Sequence, residues 1–140
     1  MKTNRLHHKS AGLLLAIGLA VSAGLPSAAL AQKPDTTGIK RSDVLRHDLD
    51  KKDEAIQVRV DFAPGSSFPG HSHPGVELAF VLEGTMEYIL NGKPVILKAG
   101  QSLFIPAGAV HSARNVGSDN AAELATYLVE KGKPILVLEK

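Results

Sequence analysis

From Pro64 to Asn120 the chain is cut into short pieces by a repeating punctuation. Pro64-Gly65, Pro74-Gly75, Glu83-Gly84, Asn91-Gly92, Ala99-Gly100, Pro106-Ala107-Gly108 and Gly117-Ser118-Asp119-Asn120 each read as a turn, and apolar-rich runs fill the intervals. The sharpest of these signals is Asn91-Gly92, because both residues tolerate the positive φ of a tight hairpin. It joins Thr85 to Leu90 with Lys93 to Lys98. Upstream, Ile56, Val58, Val60 and Phe62 alternate with Gln57, Arg59 and Asp61, the two-residue period of a strand with one buried face.

Further strands are expected over Glu77 to Leu82, Gln101 to Ile105, Val110 to Val116, Ala121 to Glu130 and Pro134 to Glu139. Residues 121–130 contain good helix formers, and Leu124, Tyr127 and Leu128 before Lys131-Gly132 would suit a short helix. The alternation of Leu124, Thr126 and Leu128 with Ala125, Tyr127 and Val129 favours a strand. About eight or nine short strands in roughly 100 residues belong to an all-β sandwich or barrel.

The first 31 residues read as a separate element. A basic start with Lys2, Arg5 and Lys9 leads into an uncharged apolar stretch and then Ala29-Leu30-Ala31, the order of a secretory signal peptide cleaved after Ala31. The competing reading is a retained membrane anchor. Gly12, Gly18, Ser22, Gly24, Pro26 and Ser27 break the stretch, and its strictly apolar part is shorter than the ~20 residues a span needs. The expected organisation is a signal at 1–31, an arm-like lead-in at 32–43 and one domain at 44–140. The product is expected in the periplasm or secreted, with no membrane attachment after cleavage.

Cleavage would remove three basic residues and no acid, leaving 13 basic against 14 acidic residues. The Lys and Arg residues are scattered among acids, so no nucleic-acid footprint is visible. The chain has no cysteine, which excludes disulfides, thiolate metal ligands and thiol nucleophiles.

Within this frame His71 and His73 stand two residues apart, so on an extended segment both imidazoles leave the same side of the backbone. Glu77 keeps that parity after the Pro74-Gly75 bend. His111, 34 residues further on, follows Pro106-Ala107-Gly108, where another strand can present it across a barrel. Three imidazoles and a carboxylate suit one divalent transition metal ion, Fe, Mn, Ni, Cu, Co or Zn, and suit Ca or Mg poorly. Four protein ligands on an ion that accepts five or six leave positions for water, substrate or oxygen. His7 and His8 fall in the signal, and His47 stands apart beside Asp48.

These residues lie in two patterns, Gly65-x5-His71-x-His73-x3-Glu77-x6-Gly84 and Gly100-x5-Pro106-x-Gly108-x2-His111-x3-Asn115. Typical residue usage would produce either at a given start with a chance on the order of 10⁻⁷. The sequence resembles the cupin superfamily, both of whose motifs are complete here. The resemblance implies a double-stranded β-helix, or jelly-roll, barrel with His71, His73, Glu77 and His111 as metal ligands. The short interval between Gly84 and Gly100 is similar to that of compact single-domain members, commonly homodimers that exchange or pair terminal strands. Residues 134–139 would suit that use.

Such a site supports several chemistries: quercetinase-like dioxygenase action on a small oxygenated organic substrate, metal-dependent decarboxylation or isomerisation, or ligand or metal binding without turnover. Phe68, Phe80, Met86, Tyr88 and Phe104 are candidates to line a cavity or fill the core. Arg59 is on the polar phase of its strand, where solvent exposure competes with contact to an anionic substrate. Arg114 is out of phase with His111 and expected outside. Asn115 is expected to tie loops together through its amide. No second His or Glu stands out as a general base, and none is assigned.

Overall fold

The computed structural model describes residues 38–139. They form ten strands: β1 (Ile39–Asp48), β2 (Asp53–Phe62), β3 (Ser67–Ser72), β4 (Val76–Glu83), β5 (Thr85–Leu90), β6 (Lys93–Lys98), β7 (Ser102–Ile105), β8 (His111–Asn115), β9 (Ala121–Glu130) and β10 (Val137–Leu138). Two five-stranded sheets result, in the orders β1-β2-β9-β4-β7 and β10-β3-β8-β5-β6. All pairings are antiparallel. The all-β expectation holds in this two-sheet form. The signal-peptide reading of 1–31 lies outside the described residues. Among the described residues no helix is long and apolar enough to cross a membrane.

The alternation in β2 works as expected: Ile56, Val58, Val60 and Phe62 are buried while their neighbours are half-buried. They meet Ala79, Val81, Met86, Tyr88, Ala113 and Tyr127 in one apolar cluster, which draws on both sheets. The β5–β6 hairpin turns at Asn91 and Gly92 with φ of 50° and 77°, the paired positive values of a type I′ turn. Pro94 is tolerated because β6 is a sheet edge. Residues 121–130 are strand throughout, paired to β2 on one side and β4 on the other. That double pairing supplies backbone partners helix propensity cannot outweigh.

Two expectations need correction. Ile39–Asp43, read as part of an arm, belong to β1, whose register runs from Ile39 opposite Phe62 to Asp48 opposite Glu54. Outward-facing Val44, Leu45 and the charges of this edge strand obscure its period, and Ile39 is its only buried residue. Residues 134–139, expected to be strand throughout, yield a two-residue strand in which Val137 and Leu138 pair with Ser72 and His71. His111, across from Glu77 as expected, is the register partner of His71 on the neighbouring strand. Glu77 is the residue that comes from the other sheet.

Asn115 does tie loops. Its Nδ2 donates to the carbonyls of Phe62 (3.1 Å) and Asp119 (2.7 Å), and its Oδ1 accepts from the Gly117 N–H (2.9 Å). The tightest backbone approach is at Gly75, between two candidate ligands. A Cβ there would lie 2.0 Å from the carbonyl oxygen of Leu128 on β9. Main chain cannot retreat as a side-chain tip can. Gly75→Ala is therefore expected to destabilise the protein by about 3 kcal/mol, the upper part of the range for forced insertion into packed structure, read as a lowered urea midpoint.

Candidate metal centre

Both sheets contribute to the site. His71 on β3 and His111 on β8 are direct neighbours, with ring centroids 4.1 Å apart. His73 lies in the segment that crosses from β3 to β4, where its carbonyl accepts from the Gly108 N–H (2.8 Å) and its ring packs on Tyr127 at 4.7 Å. Glu77, on β4 of the first sheet, completes the group. All four side chains are buried, and their ligand atoms lie within 4.8 Å of one another. The structure thus brings together every residue expected to bind metal.

The hydrogen bonds on the far side of each ring decide what these four residues can hold. Nδ1 of His71 faces the Pro69 carbonyl (2.8 Å), that of His73 the Ile135 carbonyl (2.6 Å) and that of His111 the Ala109 carbonyl (3.1 Å). A carbonyl only accepts, so each Nδ1 carries a hydrogen, and each ring, when neutral, presents a bare Nε2 to the centre. There Glu77 Oε2 lies 2.9 Å from His73 Nε2 and 3.2 Å from His111 Nε2. With bare nitrogens these are lone pairs facing lone pairs, and Glu77 Oε2 and His73 Nε2 are buried without a hydrogen-bond partner. Buried acceptors converging this way need a cation between them. The donor set fits a divalent transition metal.

The acid–base balance agrees. Burial pushes His71 down to about 4, keeping its imidazole neutral at physiological pH. Burial would raise Glu77, but the contacts with His111 and His73 outweigh it and hold the carboxyl down at about 2. His111 is also penalised by burial, yet Glu77 and the Ala109 carbonyl raise it above the usual imidazole value.

Beyond the ligands, the cavity is lined by Val60, Phe62, Phe68 and Ala113 and by a polar group that sequence reasoning missed: Arg41, Tyr88, Glu123 and Tyr127. The free space at its centre is about that of one water molecule. Tyr88 donates its hydroxyl to Glu123 Oε2. Burial above all, then the charge of Glu77, pushes Glu123 up to about 7 against the opposing pull of Tyr88, Arg41 and His111. Burial raises both Tyr88 and Tyr127, which remain phenols. Glu123 had a readable signal: it shares the inward phase of β9 with Ala125, Tyr127 and Val129. Arg41 had none while its segment was read as an arm.

Of the residues weighed as lining, Phe68 and Tyr88 reach the cavity, Met86 is in the core, and Phe80 and Phe104 are exposed on the surface. Arg59 is committed to Asp61 (2.7 Å) and to Glu83, away from the site. Arg114 is outside, beside Glu87 at 3.6 Å.

A family profile described as Cupin domain matches residues 58–132, more than half of the chain. The chain belongs to the cupin family. This cupin is 39% identical over 76 residues to germin-like protein 1-1 of Oryza sativa subsp. japonica, a stretch covering 50% of this chain and 35% of that protein. It is 36% identical over 76 residues to a rhicadhesin receptor of Pisum sativum, with the same coverage. The matches thus span about a third of the length of these relatives. Among solved structures it resembles recombinant oxalate oxidase in complex with glycolate, with a TM-score of 0.63 and 26% identity, covering 77% of this chain and 59% of that one. The cupin carries a three-His, one-Glu cluster of the kind expected to bind a single divalent metal, and it is related to the germin group.

Two expectations follow. With metal at about a hundredfold excess over its dissociation constant, the wild-type melting temperature should rise by about 10 °C, and His73→Ala should abolish that rise; differential scanning calorimetry checks both. In the metal-free protein, Glu123 has a folded value above its unfolded one, so its contribution to stability falls as pH rises from about 4.5 through about 7. His71, lowered, acts in the opposite sense between about 4 and 6.5, and it is common to wild type and variant. Glu123→Gln should thus remove a loss of a few kcal/mol between pH 5 and pH 8, measured by urea unfolding at the two pH values.

Proposed function

We propose that this cupin is a metal-dependent oxidoreductase using oxygen on a small oxygenated organic substrate, exported from the cytoplasm. The observation that carries the reading is the buried convergence of three imidazole nitrogens and Glu77 on one face of the cavity. A redox-active divalent metal, when bound, supplies electron exchange with oxygen and Lewis-acid polarisation of substrate oxygens. The likeness to oxalate oxidase supports oxidation rather than a redox-neutral reaction.

The residues of the chain do the rest. His71, His73, Glu77 and His111 hold the ion, and their orientation is set in advance by the three backbone carbonyls. Val60, Phe62, Phe68 and Ala113 exclude bulk water, which strengthens every charge interaction inside. Glu123 Oε2, with Tyr88 Oη beside it, holds or releases a proton near neutral pH, the poise of a general acid or base.

The quercetinase-like variant of this reading, with substrates of flavonol size, is disfavoured by the narrow cavity. Compounds of about two to four carbons require the least widening of a space that holds about one water molecule. The reading also includes a homodimer: Leu78, Phe80, Phe104 and Leu128 are exposed on the outward side of the first sheet, where a second copy would cover them.

Oxygen uptake is the test, using protein loaded in turn with iron, manganese, nickel, copper and cobalt against short hydroxy acids, keto acids, dicarboxylates and β-diketones. Uptake with at least one metal and substrate is expected, and lost in His73→Ala. Stoichiometric metal binding with no uptake under any combination would overturn it in favour of a redox-neutral enzyme or a binding module.

A further inference from the structure

The four arginines among the described residues divide unequally. Arg46 pairs with Glu54 at 3.0 Å, Arg59 with Asp61 and Glu83, and Arg114 with Glu87 at 3.6 Å. Among the described residues, no carboxylate lies within ion-pair distance of Arg41. Its Nη2 donates to Tyr127 Oη at 3.3 Å, and its guanidinium carbon stands 5.9 Å from the centre of the Phe68 ring. Both supports lead to the metal ligands, because Tyr127 packs on His73 at 4.7 Å and Phe68 on His71 at 4.8 Å. Arg41 also lines the same cavity as His71, Glu77 and His111.

A guanidinium offers five N–H donors, and among the described residues one of them is used. Its planar fork matches a carboxylate with two parallel hydrogen bonds. The charge balance points the same way: a divalent ion with Arg41 outweighs Glu77 and Glu123 together, so the loaded cavity is positive whether or not Glu123 is protonated.

We propose that Arg41, braced by Tyr127 and Phe68, is a carboxylate-binding residue of the cavity, so that the substrate is a small oxygenated carboxylic acid. One end is gripped by the guanidinium while its other oxygen atoms turn toward the His71–Glu77–His111 face. The inference rests on the metal-centred reading above and deepens it to a substrate class. The group reaches the site from β1, the edge strand outside both sequence motifs, so this specificity is set apart from the metal ligands.

The test reads binding without turnover. Cobalt-loaded wild type, Arg41→Lys and Arg41→Gln are titrated with glycolate and 3-hydroxypropanoate under nitrogen, following the visible cobalt spectrum, with neutral imidazole as control. Arg41→Gln should bind the acids at least tenfold more weakly, Arg41→Lys should fall between, and imidazole should bind all three alike. In wild type, the acids should also protect Arg41 from modification by 2,3-butanedione, mapped by mass spectrometry, a measurement that needs no variant. Equal acid affinity in wild type and Arg41→Gln, or equal modification with and without acid, would overturn the proposal and leave Arg41 a counter-charge to Glu123. A protein that binds the acids through Arg41 but consumes no oxygen fails the oxidoreductase reading alone. One without a cobalt spectrum fails the metal reading.

Discussion

Four electron-rich atoms pointing at one another in a buried place are unstable company, and the structure around them is arranged to keep them there. Glu77 Oε2 stands within 3.2 Å of two imidazole nitrogens that, in neutral rings, carry no hydrogen on the facing side. The arrangement costs free energy without a cation and repays it with one. Folding and metal affinity are therefore linked in this protein, since the strands that hold the ligands apart from water also hold them against their own repulsion.

That repulsion explains why the ligands come from both layers. His71 and His111 are adjacent in one sheet, while Glu77 is anchored in the other between β7 and β9. The crossing segment that carries His73 is pressed on Leu128 by Gly75, which leaves no room for a side chain. Apolar packing between the sheets sets the distance across the site. Small changes in that packing reach the metal centre directly because interiors are close-packed.

The legible part of this architecture was the part written in periods and punctuation. Asn91-Gly92 placed a hairpin to the residue, the phase of β2 marked its buried face, and the two glycine-rich motifs contained all four residues that the fold brings into one cluster. What escaped depended on tertiary partners. β1 is an edge strand whose exposed half carries no clean alternation, so Arg41 was hidden with it. Glu123 reads as an ordinary acid until its neighbours on β9 are seen to face inward, and only Tyr88, thirty-five positions away, shows that its carboxyl is engaged. Separation of His71 and His111 in sequence likewise concealed that they are side-by-side partners.

The closing segment of the described chain acquires an unexpected standing from one contact. The Ile135 carbonyl is the acceptor that orients His73, the Glu139 N–H donates to the Gly70 carbonyl (2.9 Å), and Val137 and Leu138 run alongside Ser72 and His71. Residues 134–139 are thus the outer brace of the first metal-binding strand. Apart from Ile135, whose side chain packs against the core, this stretch braces through its backbone, so its length matters more than its side chains: shortening it would leave one imidazole able to rotate and exchange tautomers, loosening the centre with every other residue of the cluster still in place.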